Sequence, residues 1–314
     1  DSAPGCLFNS VWGMGLRTLE LKNYRCFEAV NLEFSQFNVV VGANASGKSN
    51  LLSALRFIRD VARYDLENAV SMQGGFEYIV GLGSPPNTPV ELALTLDGLF
   101  ESGGMLMRYD DALAVTDVQS ITYRLRLDPY RTNARRFRVA FEQIEQQVHL
   151  RRFNPNPKSG DWAVGQVLAK GVIGVKRRGR DIETYETFDR DVPTESIMAP
   201  PPWRGKMRIR EDSSLMGRAP GPAMSLAQNL RQAMESFGFY DIDSKLPKSA
   251  TPVSGKSDLE EDGSNLAIAL QAIGRTKKSS RRLTELIQCL LPFVDGFDVA
   301  HSIDRSLFFT VHEN

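Results

Sequence analysis

One octapeptide, Gly42-Ala43-Asn44-Ala45-Ser46-Gly47-Lys48-Ser49, constrains the fold more than any other stretch of this chain. It is a full match to G-x-x-x-x-G-K-[ST]. The spacing has a chemical reason. The glycines let backbone N–H groups curl around a phosphate with no Cβ in the way, and the following helix turns its positive end toward the same anion. Lys48 is placed to reach β- and γ-phosphates as a point charge, and the Ser49 hydroxyl to complete the shell of a Mg²⁺ ion.

Such a loop needs a strand before it and a helix after it. Phe37-Asn38-Val39-Val40-Val41 is a short β-branched run that suits a strand buried on both faces. Ahead of it, Leu19 and Leu21 alternate with Thr18, Glu20 and Lys22, and Leu32 and Phe34 flank Glu33, so residues 16–41 predict three short strands. Behind the loop, Leu51, Leu55, Ile58 and Ala62 recur at helical spacing, with Arg56, Arg59 and Arg63 on the other face.

Composition bounds the rest. The 314 residues balance 38 Lys+Arg against 38 Asp+Glu and are 42% hydrophobic, which suits a globular chain of about two domains. No stretch approaches the ~18 apolar residues of a membrane span. Cys6, Cys26 and Cys289 lie too far apart for a disulfide framework, and with His149, His301 and His312 they make no zinc spacing. A reducing, cytoplasmic compartment is therefore expected. Residues 1–13 lack the marks of a secretory signal, Met14 is the expected natural start, and the strand-like end at Phe308 to Asn314 suggests a fragment.

The run Leu19-Glu20-Leu21-Lys22-Asn23-Tyr24-Arg25-Cys26-Phe27, then Leu32-Glu33-Phe34, then the loop with Asn44 inside and Ser49-Asn50-Leu51-Leu52 behind it, resembles the N-terminus of AAA-family ATPases related to RecF, SMC and OLD proteins. Far downstream, Asp262-Gly263-Ser264-Asn265-Leu266-Ala267 is similar to the "DGxNLA" segment of that family. The resemblance implies an α/β fold: a P-loop NTPase of the ABC-head type with an antiparallel β lobe and an inserted strand-rich and helical region. It implies ATP and Mg²⁺ as ligands, held by Gly42, Ala43, Asn44, Ala45, Ser46, Gly47, Lys48, Ser49 and Asn50. Arg25 would face the nucleotide, and Gln73 would touch Mg²⁺ from a loop, although a solvated loop glutamine is the plainer reading. It also implies a second head closing the site in a homodimer or higher assembly, with DNA or a nuclease as further partners, no membrane, and a role in DNA maintenance or phage defence.

On residues alone, the downstream segment predicts only a capped helix. Ser264 or Asn265 would serve its first N–H groups, Asp262 its positive end, and Leu266, Ala269, Leu270 and Ile273 its apolar face, with Gly274 as a stop. A second helix is expected from Ser280 to Pro292, and a hairpin from Phe297 to Val311.

Other elements are missing. No hydrophobic strand ends in Asp-Glu: Phe239-Tyr240-Asp241 and Phe293-Val294-Asp295 are too short. No L-S-x-G signature is present, since Ser213-Ser214-Leu215-Met216-Gly217 lies in a Pro/Gly-rich stretch. The residues that would position an attacking water are thus unidentified. This keeps open a nucleotide-gated binding module without turnover, and a small-molecule kinase. A GTPase is disfavoured, because no Asp has a Gly three residues on.

The alternating Val90, Leu92, Leu94 and Leu96 predict a strand, and residues 121–188 read as strand-rich. A Pro/Gly-rich linker spans 198–222, and Leu226, Leu230 and Met234 mark a helix from Ser225 to Phe237. The expected organisation is an extension at 1–13, the first part of an ATPase head at 14–129, an insertion and linker at 130–250, and a return to the head at 251–314. Two basic runs, Lys176 to Arg180 and Arg275 to Arg282, carry no interleaved aromatics and read as solvated ends more readily than as nucleic-acid contacts.

Overall fold

In a computed structural model, the described residues are 15–81, 83–85, 87–98, 106–109, 112–130, 133–155, 162–192, 207–221, 223–253, 257–302 and 305–313. The extension at 1–13, the start at Met14 and part of the 198–222 linker lie outside them. The chain divides into two compact units, Asp1–Phe237 and Gly238–Asn314. No helix among the described residues is long and apolar enough to cross a membrane.

The first unit is built on one antiparallel sheet of nine strands in the order β2-β1-β3-β5-β6-β7-β8-β9, with β4 also paired to β5. The strands are β1 Gly15–Tyr24, β2 Phe27–Glu33, β3 Val90–Asp97, β4 Leu106–Tyr109, β5 Ala112–Tyr130, β6 Asn133–Pro155, β7 Trp162–Arg178, β8 Asp181–Phe188 and β9 Met207–Arg208. Period-2 alternation decides which face is inner. Leu19, Leu21, Val90, Leu92, Leu94, Leu96, Ile121, Tyr123, Leu125, Ile144, Val148, Ile173 and Val175 are all buried. Among the described residues this unit holds the helices α1 Lys48–Tyr64, α2 Leu66–Met72, α3 Leu215–Arg218 and α4 Ala223–Glu235. As expected, α4 buries Leu226, Leu230 and Met234, and Gln146 of β6 reaches it by donating to the Leu226 carbonyl at 3.2 Å.

The expected insertion at 130–250 supplies β6 to β9, α3 and α4, and its strands extend the same sheet that β1 and β3 begin. A buried ionic knot ties them down. Glu142 of β6 and Arg177 of β7 have fully buried side chains 3.9 Å apart. Glu142 accepts from Tyr123 Oη at 2.9 Å, Ser214 Oγ at 2.5 Å and the Leu215 N–H at 2.8 Å. Arg177 donates to the carbonyls of Gly179, Arg210 and Ser213. Burial pushes the Glu142 carboxyl up, while the donors from Ser214 and Leu215 and the Arg177 charge pull it back. Part of the first basic run is therefore core. Lys176 is also engaged, 3.2 Å from Glu183.

Two expectations fail in this unit. Phe37 to Val41 is no strand but a bend followed by irregular chain, with Phe37, Val39, Val40 and Val41 at 82%, 69%, 52% and 83% exposure. A strand needs ladder partners, and among the described residues none pairs with this run. Arg59, placed on the polar face of α1, is buried instead and bonds Asp60 through Nε at 3.1 Å. The pair satisfies both charges inside the core.

The second unit is a three-stranded sheet, β10 Thr251–Pro252, β12 Ser306–Glu313 and β11 Val294–His301, with helices α5 Leu266–Gly274 and α6 Lys277–Leu290. The hairpin pairs Phe297 with Val311 as expected. The cap differs. Asn265 precedes α5 without bonding its N–H groups, because its carboxamide accepts from the Glu260 N–H and donates to the Asp258 carbonyl. The inward face is Ala267, Ile268 and Ala269, with Leu307 beneath, and not the face of Leu266, Leu270 and Ile273. The second basic run opens α6, where the Thr276 hydroxyl accepts from the Ser279 N–H.

Replacing Glu142 with Ala strands the Arg177 charge in the core and should cost about 3–5 kcal/mol in chemical denaturation. Glu142→Gln, which keeps an acceptor for Ser214 and Leu215, should cost less. A second test uses pH. Burial raises the Glu186 carboxyl to about 7, and its Oε2 makes no hydrogen bond. The folded state then holds more protons than the unfolded chain between its ordinary value and about 7, so this group's contribution to stability falls as pH rises through that window. Thermal melts should show Glu186→Gln removing that slope and gaining stability above it.

Candidate functional site

The phosphate loop leaves the coil at Val41 and enters α1 at Lys48. Its turn uses left-handed backbone at Ala45 (φ 63°) and Gly47 (φ 95°) and closes with Ser46 N–H on the Ala43 carbonyl at 3.3 Å. Gly47 has a second reason to be glycine, because a Cβ there would stand 2.9 Å from Cys26 Sγ and 3.2 Å from the Phe27 ring. At Gly42 a Cβ would meet Ser46 Oγ at 2.7 Å. No side chain caps α1, and its first turn holds no acidic residue, so its positive end is left to an external anion.

Lys48 folds back over the loop, with Nζ donating to the carbonyls of Gly42 and Ala43 at 2.7 Å each and lying 3.5 Å from Ser46 Oγ. Asn44 and Ser49 are exposed. The ammonium charge, the uncapped helix end and the Ser49 hydroxyl therefore share one open rim. That donor set fits a polyphosphate with a hard cation.

Arg25 and Gln73, far apart in sequence, meet beside this rim. Arg25 occupies left-handed backbone (φ 51°) in the turn between β1 and β2, and its N–H donates to the Ile79 carbonyl at 2.9 Å. Its Nη2 donates to Gln73 Oε1 at 2.5 Å and its Nη1 to Asn50 Oδ1 at 3.4 Å. Buried Arg25 Nε has no acceptor, leaving a donor in want of an anion next to the loop. Asn50 also contacts Cys26 Sγ at 3.0 Å. Gln73 closes α2 and does not stand in a solvated loop.

Sequence reasoning missed three residues here. Tyr24 is fully buried, with its ring 6.4 Å from that of Phe57 and its hydroxyl 3.2 Å from Ser53 Oγ. Ser53 in turn donates to Gln73 Oε1 at 3.0 Å. Cys26 packs against Gly47. The signal for Ser53 was its position four residues after Ser49, on the same helix face. The downstream 258–267 segment belongs to the other unit, where Asn265 bonds Asp258 and Glu260 and the carbonyls of Glu261, Asp262 and Ser264 accept from Asp241, Asp243 and Thr251. Among the described residues no group of three His, Cys, Asp or Glu side chains could hold a metal by itself.

Comparisons with known proteins agree with this geometry. Residues 14–100 match the family model described as an AAA ATPase domain. Over 92 residues the chain is 38% identical to the DNA replication and repair protein RecF of Latilactobacillus sakei, covering 27% of this chain and 24% of that protein. Over 47 residues it is 45% identical to Endonuclease GajA of Bacillus cereus, covering 15% and 8%. The chain thus spans less than a quarter of either relative. A solved structure concerned with ATP-driven dimerization and DNA-stimulated activation of SMC ATPases overlays 44% of this chain and 70% of its own. It does so at 25% identity and a TM-score of 0.26, too loose to argue from. Residues 14–100 are thus similar to AAA ATPase domains, parts of the chain are similar to RecF and GajA, and an antiparallel sheet stands beside the phosphate loop.

Gly47→Ala should disturb both stability and site. The left-handed backbone costs an L-residue about 1–2 kcal/mol, and the Cys26 contact adds to it. The melting temperature should fall, and Cys26→Ala in the same chain should recover part of the loss.

Proposed function

We propose that this chain is the ATP-binding head of a RecF/SMC/OLD-like ATPase, and that the observation carrying this reading is the loop rim itself: an uncapped helix end, Lys48 and Ser49 facing one opening. Backbone N–H groups of residues 44–49 would hold the phosphates, with Lys48 moving from the Gly42 and Ala43 carbonyls onto them. Ser49 would hold Mg²⁺, and Gln73 would approach it from α2. Arg25, with its unmet Nε donor, would offer a further charge to the nucleotide. When bound, Mg²⁺ supplies charge neutralisation at the phosphates. The protein's own part is positioning: α1 is pinned through Phe57 and Ser53, so its N-terminus is presented without further ordering.

Turnover is assigned to the full-length protein as a dimer or higher assembly, with the second head completing the site. No Walker B-like hydrophobic run ending in Asp-Glu is recognisable in the sequence to orient an attacking water. On this reading residues 14–129 and 251–314 are parts of the head, 130–250 is an addition to it, and the setting is a cytoplasmic role in DNA maintenance or phage defence with DNA or a nuclease as partner. What supports that setting is the likeness to a protein named for DNA replication and repair and to one named an endonuclease. Nucleotide binding without turnover is a second reading, favoured by the missing water-positioning residue.

Calorimetric titration should show ATP binding with Mg²⁺ to the intact chain and at least a hundredfold weakening in Lys48→Ala. Unchanged affinity in Lys48→Ala would remove the loop assignment. Steady hydrolysis by this chain alone would contradict the division of labour between two heads.

A further inference from the structure

We infer that Ser53 and Arg25 together form a parking place that holds Gln73 one helical turn below Ser49 until nucleotide and Mg²⁺ arrive, making Ser53 a positioning residue for the metal side of the site. The inference rests on the loop reading above and adds to it a residue and a resting state. Its basis is a four-member chain of hydrogen bonds. Gln73 Oε1 accepts from Ser53 Oγ at 3.0 Å and from Arg25 Nη2 at 2.5 Å. Since the Ser53 proton is committed to Gln73, the Tyr24 hydroxyl at 3.2 Å must be the donor to Ser53. Burial of Tyr24 raises its phenol pKa, so that proton stays in place.

Helix geometry gives the arrangement its meaning. Ser53 lies four residues beyond Ser49, about 6 Å farther along the axis of α1 and on nearly the same face. An oxygen bonded to Ser53 is therefore displaced along the helix from an ion held at the Ser49 hydroxyl. Both lone-pair directions of Gln73 Oε1 are taken by donors, so as it stands the carboxamide has nothing to offer a cation. To serve Mg²⁺, Gln73 must leave Ser53 and Arg25 and rise by one turn. The same departure frees Arg25 Nη2, next to the already unmet Nε, for an anion. One exchange thus arms both residues: a cation that takes Gln73 must break both bonds, whereas ATP alone need release only Arg25 Nη2 and can leave Gln73 on Ser53.

The segment that must move is suited to it. After Gln73 come Gly74 (φ 93°) and Gly75 (φ 116°), both in backbone that glycine adopts freely. Before them Val70 is buried and its carbonyl accepts from the Gln73 and Gly75 N–H groups, and beyond them Phe76 is fully buried, so motion can be confined to the residues between these two anchors.

The test compares ATP titrations with Mg²⁺ and with EDTA for the full chain, Ser53→Ala and Ser53→Thr. Loss of the hydroxyl weakens the resting state alone. Ser53→Ala should therefore enlarge the gain in ATP affinity that Mg²⁺ confers by about threefold to tenfold, the span one neutral hydrogen bond supplies. Affinity in EDTA should stay within about twofold, Ser53→Thr should behave as wild type, and Gln73→Ala should erase the difference. A nucleotide-free arm separates this idea from the loop reading: amides of residues 73–75 should exchange faster in Ser53→Ala than in wild type. If exchange rises but ATP does not bind, the latch stands and the loop reading fails. If ATP binds but Ser53→Ala alters neither the Mg²⁺ gain nor the exchange, or weakens both titrations equally, the latch is wrong.

Discussion

Tyr24 joins three parts of the molecule that would otherwise be independent. Its backbone ends the β1–β2 pairing opposite Phe27 and bridges to Val80, its ring lies against Phe57 of α1, and its hydroxyl reaches Ser53. Full burial makes that hydroxyl costly to leave without a partner, so the turn and the helix are held in one register. The neighbours on either side, Asn23 and Arg25, both take left-handed backbone, which a chain tolerates only where surrounding contacts determine it. The direction of α1, the contact of Cys26 with Gly47 and the reach of Arg25 to Gln73 all follow from this docking. The phosphate loop is an exposed turn whose position is set by buried ones.

The sheet works differently. Its inner face is continuous from β1 to β8, and β6 and β7 are attached by charge as well as by apolar area. Glu142 and Arg177 could be replaced by apolar side chains of similar volume without loss of stability in principle, since buried ion pairs seldom add net stability. What the pair does here is specify: Glu142 binds the start of α3 at Ser214 and Leu215, which fixes where the helical layer meets the strands. By contrast, Phe37 to Val41 has strand composition and no ladder. The run feeds the loop directly, so among the described residues the approach to the site has no ladder to hold it.

Local pattern carried most of what was legible in the sequence. The loop motif, the apolar stripe of α1, the alternation of Val90 to Leu96 and the helix at Leu226 to Met234 each encode their structure within a dozen residues, and each was found. Where pairing or burial depends on distant chain, pattern misled. Val39 to Val41 predicts a buried strand only if a partner strand exists beside it. Arg59 looks solvent-facing until Asp60 is seen to neutralise it inside. Asn265 looks like a cap, but its carboxamide is engaged by Asp258 and Glu260. The Arg25–Gln73 contact bridges 48 positions and has no local signature. Each residue was a candidate only by resemblance, and their meeting is a property of the fold.

The claim on which everything else rests is that ATP and its metal sit at the N-terminus of α1. Paramagnetic mapping tests this directly: Mn²⁺ replaces Mg²⁺ in a complex with ATP, and backbone amide signals of the isotope-labelled chain are followed for broadening. The account predicts loss of signal centred on Gly47 to Asn50 and spreading to Gln73. Broadening centred elsewhere, for example in the arginine-lined cleft of about 720 Å³ between α2, Tyr130 and Arg208 to Asp212, would contradict it.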